Sequence, residues 1–339
     1  MIARKNTSFI GIMYFAGHHL IWLGLYMGLI TVLYKVAGWT KLSIPWLPVS
    51  LIGTAVAFYL GFKSSQSYDR TWEARKIWGA IVNSSRSWGS LVNAYISNSN
   101  QTPAEIHAIK SRLIYRHIGW LYTLREQLLV PTPWEHVSLK GQFGKVNVQR
   151  REKFGVGLFT DYLTERQKRR YFADVEQLNG AVNKATQIIR IQAQDLAAQE
   201  ENGNLAVLKH IEMQKILNCF YDEQGKAERI KRFPFPRQYA NMSFIFTCIF
   251  IFLLPFGIVG EFAKLGGFSV WLTIPVGMLA GWIYIVMELV GDYSENPFEG
   301  LSTDIPMLSM CRTIEIDLLQ MLGETEIPAP IQAKHDILL

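Results

Sequence analysis

The chain has 339 residues, 49% hydrophobic and 18% charged, with a formal net charge of +6. Mean hydropathy is +0.11. These values exclude a disordered chain, which needs low hydrophobicity and high net charge. They also argue against an ordinary soluble enzyme, because soluble chains carry about 25% charged residues.

Two apolar runs open the chain. From Phe9 to Tyr34 and from Leu42 to Phe62 there is no Lys, Arg, Asp or Glu. Both exceed the ~20 residues that a helix needs to cross the hydrocarbon core. The first run is too long for a signal peptide and has no small-residue cleavage site after it. Arg4 and Lys5 precede it. His18 and His19 fall inside it and are expected as neutral rings facing a neighbouring helix.

The second run continues past the membrane boundary. No Pro occurs from Val49 to Thr102, and apolar residues recur at Trp78, Ile81, Val82, Trp88, Leu91, Val92 and Tyr95. That spacing predicts one long helix from about Pro48 to about Ser97 with one wet face. Thr54, Phe58 and Phe62 stand at i, i+4 and i+8, so they form one stripe. Small residues flank it at Gly53, Ala55, Ala57 and Gly61, and Lys63, Ser64, Ser65 and Gln66 follow. By spacing alone the stripe suits a lipid-facing or core surface, or an apolar pore that gates by dewetting.

A charged region then runs to Arg237. Pro103 opens a helix there as a first-turn residue. Helical patterns cover about 103–129, 160–200 and 204–222. The stretch 130–158 reads as a loop, from prolines 131 and 133 and glycines 141, 144, 155 and 157. Asn202-Gly203-Asn204 and Gln224-Gly225 read as helix breaks. Pro234-Phe-Pro236 marks a return to the membrane.

Two further charge-free runs follow, Gln238–Gly260 and Leu265–Met287. Pro255 and Gly257 are expected to bend the third span at its outer mouth. The expected organisation is therefore spans one and two in residues 1–64, a cytosolic helical region in 65–235, spans three and four in 236–290, and a cytosolic segment in 291–339. Basic residues crowd 63–86 and 229–237, whereas the other loops carry Lys35, Lys41 and Lys264. The positive-inside rule then puts both termini in the cytosol. The net charge reflects topology and not a nucleic-acid partner.

Catalytic signatures are absent: there is no Gly-x-Ser-x-Gly, Walker loop or His-Glu-x-x-His. No His-x-x-x-His or Cys-x-x-Cys suggests a metal, and no cofactor is expected. Cys219, Cys248 and Cys311 are too scattered for a disulfide framework. Asp222-Glu223 and Glu315/Asp317 read as solvated helix faces. A scaffold would conduct no ions, and a transporter would show inverted repeats.

Tyr68-Asp-Arg-Thr-Trp-Glu-Ala-Arg-Lys-Ile-Trp-Gly79 with Asn83-Ser-Ser-Arg86 resembles the signature region of the bestrophin family in its bacterial branch. Glu228–Pro236 with Tyr239, and Glu295-Asn-Pro-Phe298 with Asp304 and Cys311–Glu315, resemble two further family segments. The resemblance implies an all-α membrane protein, with four transmembrane helices and a large helical cytosolic region. It implies a homopentameric ion channel with a central pore, in the cell membrane (an inner membrane in bacteria). Its three neck positions land on Thr54, Phe58 and Phe62, where Thr54 departs from the usual bulky apolar residue. A second, cytosolic constriction falls at Leu205 or Leu208. Animal members bind calcium through an acidic run after Asn-Pro-Phe. Here Glu299 and Asp304 alone are too few for six to eight oxygen ligands, so no calcium gating is expected. The expected ion is a monovalent anion such as chloride. A sodium or potassium channel of the same architecture is the alternative, favoured by the carboxylates Asp292, Glu295 and Glu299.

Overall fold

A computed structural model describes residues 1–3, 9–153, 163–174, 178, 180–334 and 336–338. Arg4, Lys5, Gly155 and Gly157 lie outside them. Among the described residues no strand forms; Ile2–Ile337 and Lys334–Ile337 are isolated bridges. The chain divides into two units. The apolar unit comprises Arg4–Arg70 and Pro234–Glu295. The polar unit comprises Met1–Ala3, Thr71–Phe233 and Asn296–Leu339.

In the apolar unit the first charge-free run is not one helix. It forms α1 (Phe9–Ala16) and α2 (His18–Lys35), interrupted at Gly17. Leu20 N–H reaches back only three residues, to the Gly17 carbonyl at 3.0 Å, so the chain tightens there. Among the described residues three helical stretches are long and apolar enough to cross a membrane: Thr40–Tyr95, Arg237–Lys264 and Ser269–Tyr293. The α1–α2 pair is not among them. His18 is exposed and not turned to a neighbouring helix. The ring of His19 accepts the Trp22 indole N–H at 3.0 Å, one turn along the same helix.

The proline-free stretch forms α3 (Trp46–Tyr95), 50 residues long. Its first half packs against α9 (Arg237–Lys264) and α10 (Thr273–Tyr293) through Val49, Val56, Leu60, Phe250, Leu254 and Ile285. Gly53 is required at this contact: a Cβ there would sit 2.6 Å from the Phe250 ring. Pro255 is accommodated inside α9. Polar groups are satisfied within the helices or by short ties. Thr31 and Thr247 donate to carbonyls one turn back, at 2.8 and 2.9 Å. Tyr284 donates to the Gly53 carbonyl at 3.0 Å. Such internal satisfaction is what a hydrocarbon solvent demands.

The polar unit holds the second half of α3, then α4 (Pro103–Leu129), α5 (Gly141–Lys153), α6 (Glu165–Tyr171), α7 (Lys184–Glu201), α8 (Val207–Arg232) and α11 (Met307–Leu322). Thr102 and Glu105 form a reciprocal cap ahead of Pro103, which fixes where α4 starts. Gly203, at φ +73°, turns the chain between α7 and α8. Two expectations fail here. The stretch read as a loop contains α5 and a 3₁₀ turn at His136–Ser138. Gln224-Gly225 does not break α8, because Gly225 is exposed and Gln224 is buried and bonded. Its amide donates to Thr186 Oγ1 at 2.8 Å and Glu228 Oε1 at 2.7 Å.

The core of this unit is aromatic. Trp78, Trp88, Trp120, Tyr122 and Phe220 are all fully buried. His117 stacks on Trp120 at 5.2 Å and meets Ser85 Oγ at 2.9 Å. Burial pushes its pKa down to about 3. Arg116 bonds Asp174 at 2.6 Å and Asp195 and Gln192 at 2.8 Å. Burial raises the Asp195 carboxyl, but bonds from Arg112 and Arg116 outweigh it and hold the pKa at about 2. Glu315 is not a solvated residue: it is fully buried and accepts from Tyr122 at 2.6 Å and Tyr171 at 2.8 Å. Cys311 is buried, whereas Cys219 and Cys248 are exposed.

Candidate functional site

The first half of α3 has two faces. Val49, Gly53, Val56, Leu60, Lys63 and Ser67 are buried. Their spacing of three and four keeps them on one side of the helix. On the other side stand Thr54, Phe58 and Phe62, all exposed. Phe58 is 82% exposed and Phe62 48%. The Phe62 ring lies 6.3 Å from the Tyr239 ring of α9. Thr54 donates its hydroxyl to the Ser50 carbonyl at 2.9 Å, so its donor is already used. The face is uncharged and apolar, which leaves no side chain there to choose the sign of an ion.

The two leucines expected near the start of α8 differ. Leu205 is 3% exposed and belongs to the core of the polar unit. Leu208 is 77% exposed, beside exposed Val207 and Ile211. Leu205 is thus enclosed within the polar unit, whereas Leu208 stands at its surface.

The carboxylates at the end of α10 and beyond it meet partners within their own units. Asp292 lies 3.6 Å from Lys63. Buried Glu295 lies 3.2 Å from Arg237. Glu299, also buried, accepts from His136 Nδ1 at 3.0 Å and from Val137 N–H at 2.8 Å. Asp304 accepts from Gly300 N–H at 2.6 Å and Leu301 N–H at 3.1 Å. Burial, aided by the charge of Glu299, pushes its pKa up to about 7 against those two bonds. Among the described residues no group of three or more His, Cys, Asp or Glu is placed to hold a metal ion.

Two pairings escaped the sequence. Lys63 bonds Glu288, 225 residues away, at 2.5 Å. His136 meets Glu299, 163 residues away. The first leaves a faint signal, because both residues sit just outside charge-free runs. The second leaves none.

The fold is that of a bacterial bestrophin homologue. A solved structure of the Klebsiella pneumoniae protein superimposes with a TM-score of 0.69 at 23% identity, covering 91% of this chain and 99% of that one. The family described as Bacterial/Fungal Bestrophin protein matches residues 17–320, and the chain belongs to it. Among curated proteins it is similar to "Voltage-dependent anion channel-forming protein YneE" of Escherichia coli (strain K12). That match is 27% identical over 304 residues, 89% of this chain and 86% of that protein. It is also similar to "Voltage-dependent anion channel-forming protein alr2987" of a Nostoc species, 25% identical over 336 residues, 98% of this chain and 93% of that protein.

Proposed function

We propose that the chain forms a homopentameric channel in the cell membrane. It conducts monovalent anions such as chloride through a pore lined by α3 and carries out no catalysis. Five copies of Thr54, Phe58 and Phe62 form the neck, and Leu208 forms the second constriction. Residues 1–64 and 236–290 supply four membrane segments, with α1 and α2 together as the first. Residues 65–235 and 291–339 lie in the cytosol with both termini.

The observation that carries this reading is the two-faced α3. Its buried face anchors it in the subunit, while large aromatic rings stand exposed on the other. Rings of apolar side chains gate by dewetting, and such a barrier needs no charge. Anion conduction is supported by the names of the curated relatives. It is supported too by the carboxylates Asp292, Glu295 and Glu299, each of which faces a base and offers a passing cation little. Calcium independence is supported by Glu299 and Asp304, whose oxygens already accept from His136 and backbone N–H groups.

The test is the reversal potential of purified protein in a planar bilayer under a KCl gradient. The expected value lies near the chloride equilibrium potential; one near that of potassium overturns the assigned sign. Phe58→Ala is expected to raise ion flux about tenfold, equivalent to roughly 1.4 kcal/mol off a barrier. Unchanged flux from correctly assembled oligomers rejects this neck.

A further inference from the structure

The buried face of α3 in the apolar unit carries a single charge, Lys63. The residue is 2% exposed, next in sequence to the outward-facing Phe62. Its ammonium bonds Glu288 Oε1 of α10 at 2.5 Å. The other oxygen of Glu288 accepts the hydroxyl of Ser243 on α9. Three helices thus meet at one carboxylate. Asp292, one turn further along α10, stands 3.6 Å from the same ammonium. The Lys63 stem runs beside Gly291 of α10, where a Cβ would be in ordinary van der Waals contact with Lys63 Cγ at 3.4 Å.

Burying two charges is costly, and replacing such a pair by apolar residues often costs no stability. Elsewhere this face is Val49, Gly53, Val56 and Leu60, where Gly53 admits the Phe250 ring and offers its carbonyl to Tyr284. A buried charged pair penalises other rotations more steeply than these contacts do, since only one rotation brings the charges together. Lys63 is about 100° around the helix from Phe62 and about 140° from Phe58. Whatever fixes Lys63 therefore fixes where both rings point.

We infer that Lys63 and Glu288, with Ser243, are positioning residues that set the rotation of α3 and so hold Phe58 and Phe62 in the neck. This rests on the channel reading above and adds the device that orients its pore helix. Neither residue needs to touch the ion.

The variants are Lys63→Met, Glu288→Gln and the two combined, in full-length oligomers reconstituted into liposomes. Each single variant leaves a charge unmatched and is expected to lower thermal stability. The double variant leaves no buried charge unmatched, Asp292 being part-exposed to solvent, and is expected to recover it. Flux separates positioning from mere structure. The double variant is expected to leak about tenfold more than wild type, the change a modest loss of bias produces in a two-state population. Phe58→Ala added to it is expected to raise flux no further, because the ring has already left the neck.

A second readout does not depend on conduction. Spin labels at Phe58→Cys and Leu279→Cys, both exposed positions of the apolar unit, are introduced with Cys219 and Cys248 replaced by Ser and diluted among unlabelled subunits. Their distance distribution is expected to shift or broaden in the double variant. A double variant with wild-type flux and wild-type label distances overturns the inference. If Phe58→Ala leaves wild-type flux unchanged while the labels still move, the neck is rejected and the positioning role of the pair stands.

Discussion

Two buried basic residues, one in each unit, meet their carboxylates in different company. Arg116 of the polar unit bonds Asp174, Asp195 and Gln192, and Arg112 shares Asp195 with it. Trp120, Gln224, Asn183 and Glu228 add further ties in the same unit. Lys63 of the apolar unit has one close charged partner, Glu288, among helices joined otherwise by hydrocarbon and a few neutral bonds such as that of Tyr284 to the Gly53 carbonyl. Where charged bonds are many, each adds stability and none alone decides the arrangement. Where they are few, each weighs more on orientation. The polar unit is expected to answer substitution by unfolding, and the proposed pore face of the apolar unit by conducting differently.

The strongest attack on this contrast is Trp120→Ala. Its ring is buried between His117 and Phe220, at 5.2 and 5.0 Å, and its N–H donates to Gln224 at 3.1 Å. Truncation is expected to cost about 3–5 kcal/mol, read as a lower denaturation midpoint.

Asp304→Asn acts through pH. The folded-state pKa of Asp304 is about 7, above its ordinary value. Its stabilising contribution is therefore complete below the ordinary carboxylate range and is lost as pH rises towards 7. Asparagine keeps an oxygen for Gly300 and Leu301 without the charge. The variant is expected to be more stable than wild type at pH 8, by about 1–3 kcal/mol, with the gap shrinking towards pH 5. His117, held at about 3, works in the opposite sense but cancels between the two proteins. Parallel melting curves at the two pH values measure the difference.

Asn183→Ala is smaller. Asn183 caps α7 by accepting the Thr186 N–H at 3.1 Å, and loss of the cap is expected to cost about 1 kcal/mol in the same assay. Smallest in stability is Phe58→Ala, expected within about 0.5 kcal/mol because the ring is exposed in its subunit, although its flux changes most. A large loss of stability there erases the contrast between the units.

The sequence shows best what depends on neighbours along the chain. The absence of proline across 49–102 and the recurrence of Trp78, Ile81 and Trp88 reveal α3, and Pro103 marks the next start. The outward stripe of Thr54, Phe58 and Phe62 is legible because it repeats every four residues. What depends on distant partners is not. Hydropathy reads straight through Gly17, where the backbone tightens. Glycine composition suggests a break at Gly225, but the bonds of Gln224 across to α7 hold α8 together. Leu205 and Leu208 look alike in sequence, and only packing encloses one and leaves the other bare. Glu315, two residues from exposed Thr313, becomes a buried acceptor through Tyr122 and Tyr171, which lie far away in the chain.

The three thiols form a ready set of chemical reporters. Burial pushes Cys311 up to about 12, so almost no thiolate exists at neutral pH and oxidants or alkylating agents find nothing to attack. Cys219 is exposed on α8, whereas Cys248 is exposed on α9 within an apolar helix, where hydrocarbon keeps a thiol from ionising. A water-soluble maleimide should then label α8 and spare α9 in the unaltered protein. Its arrangement in a native membrane can be followed without introducing a single foreign residue.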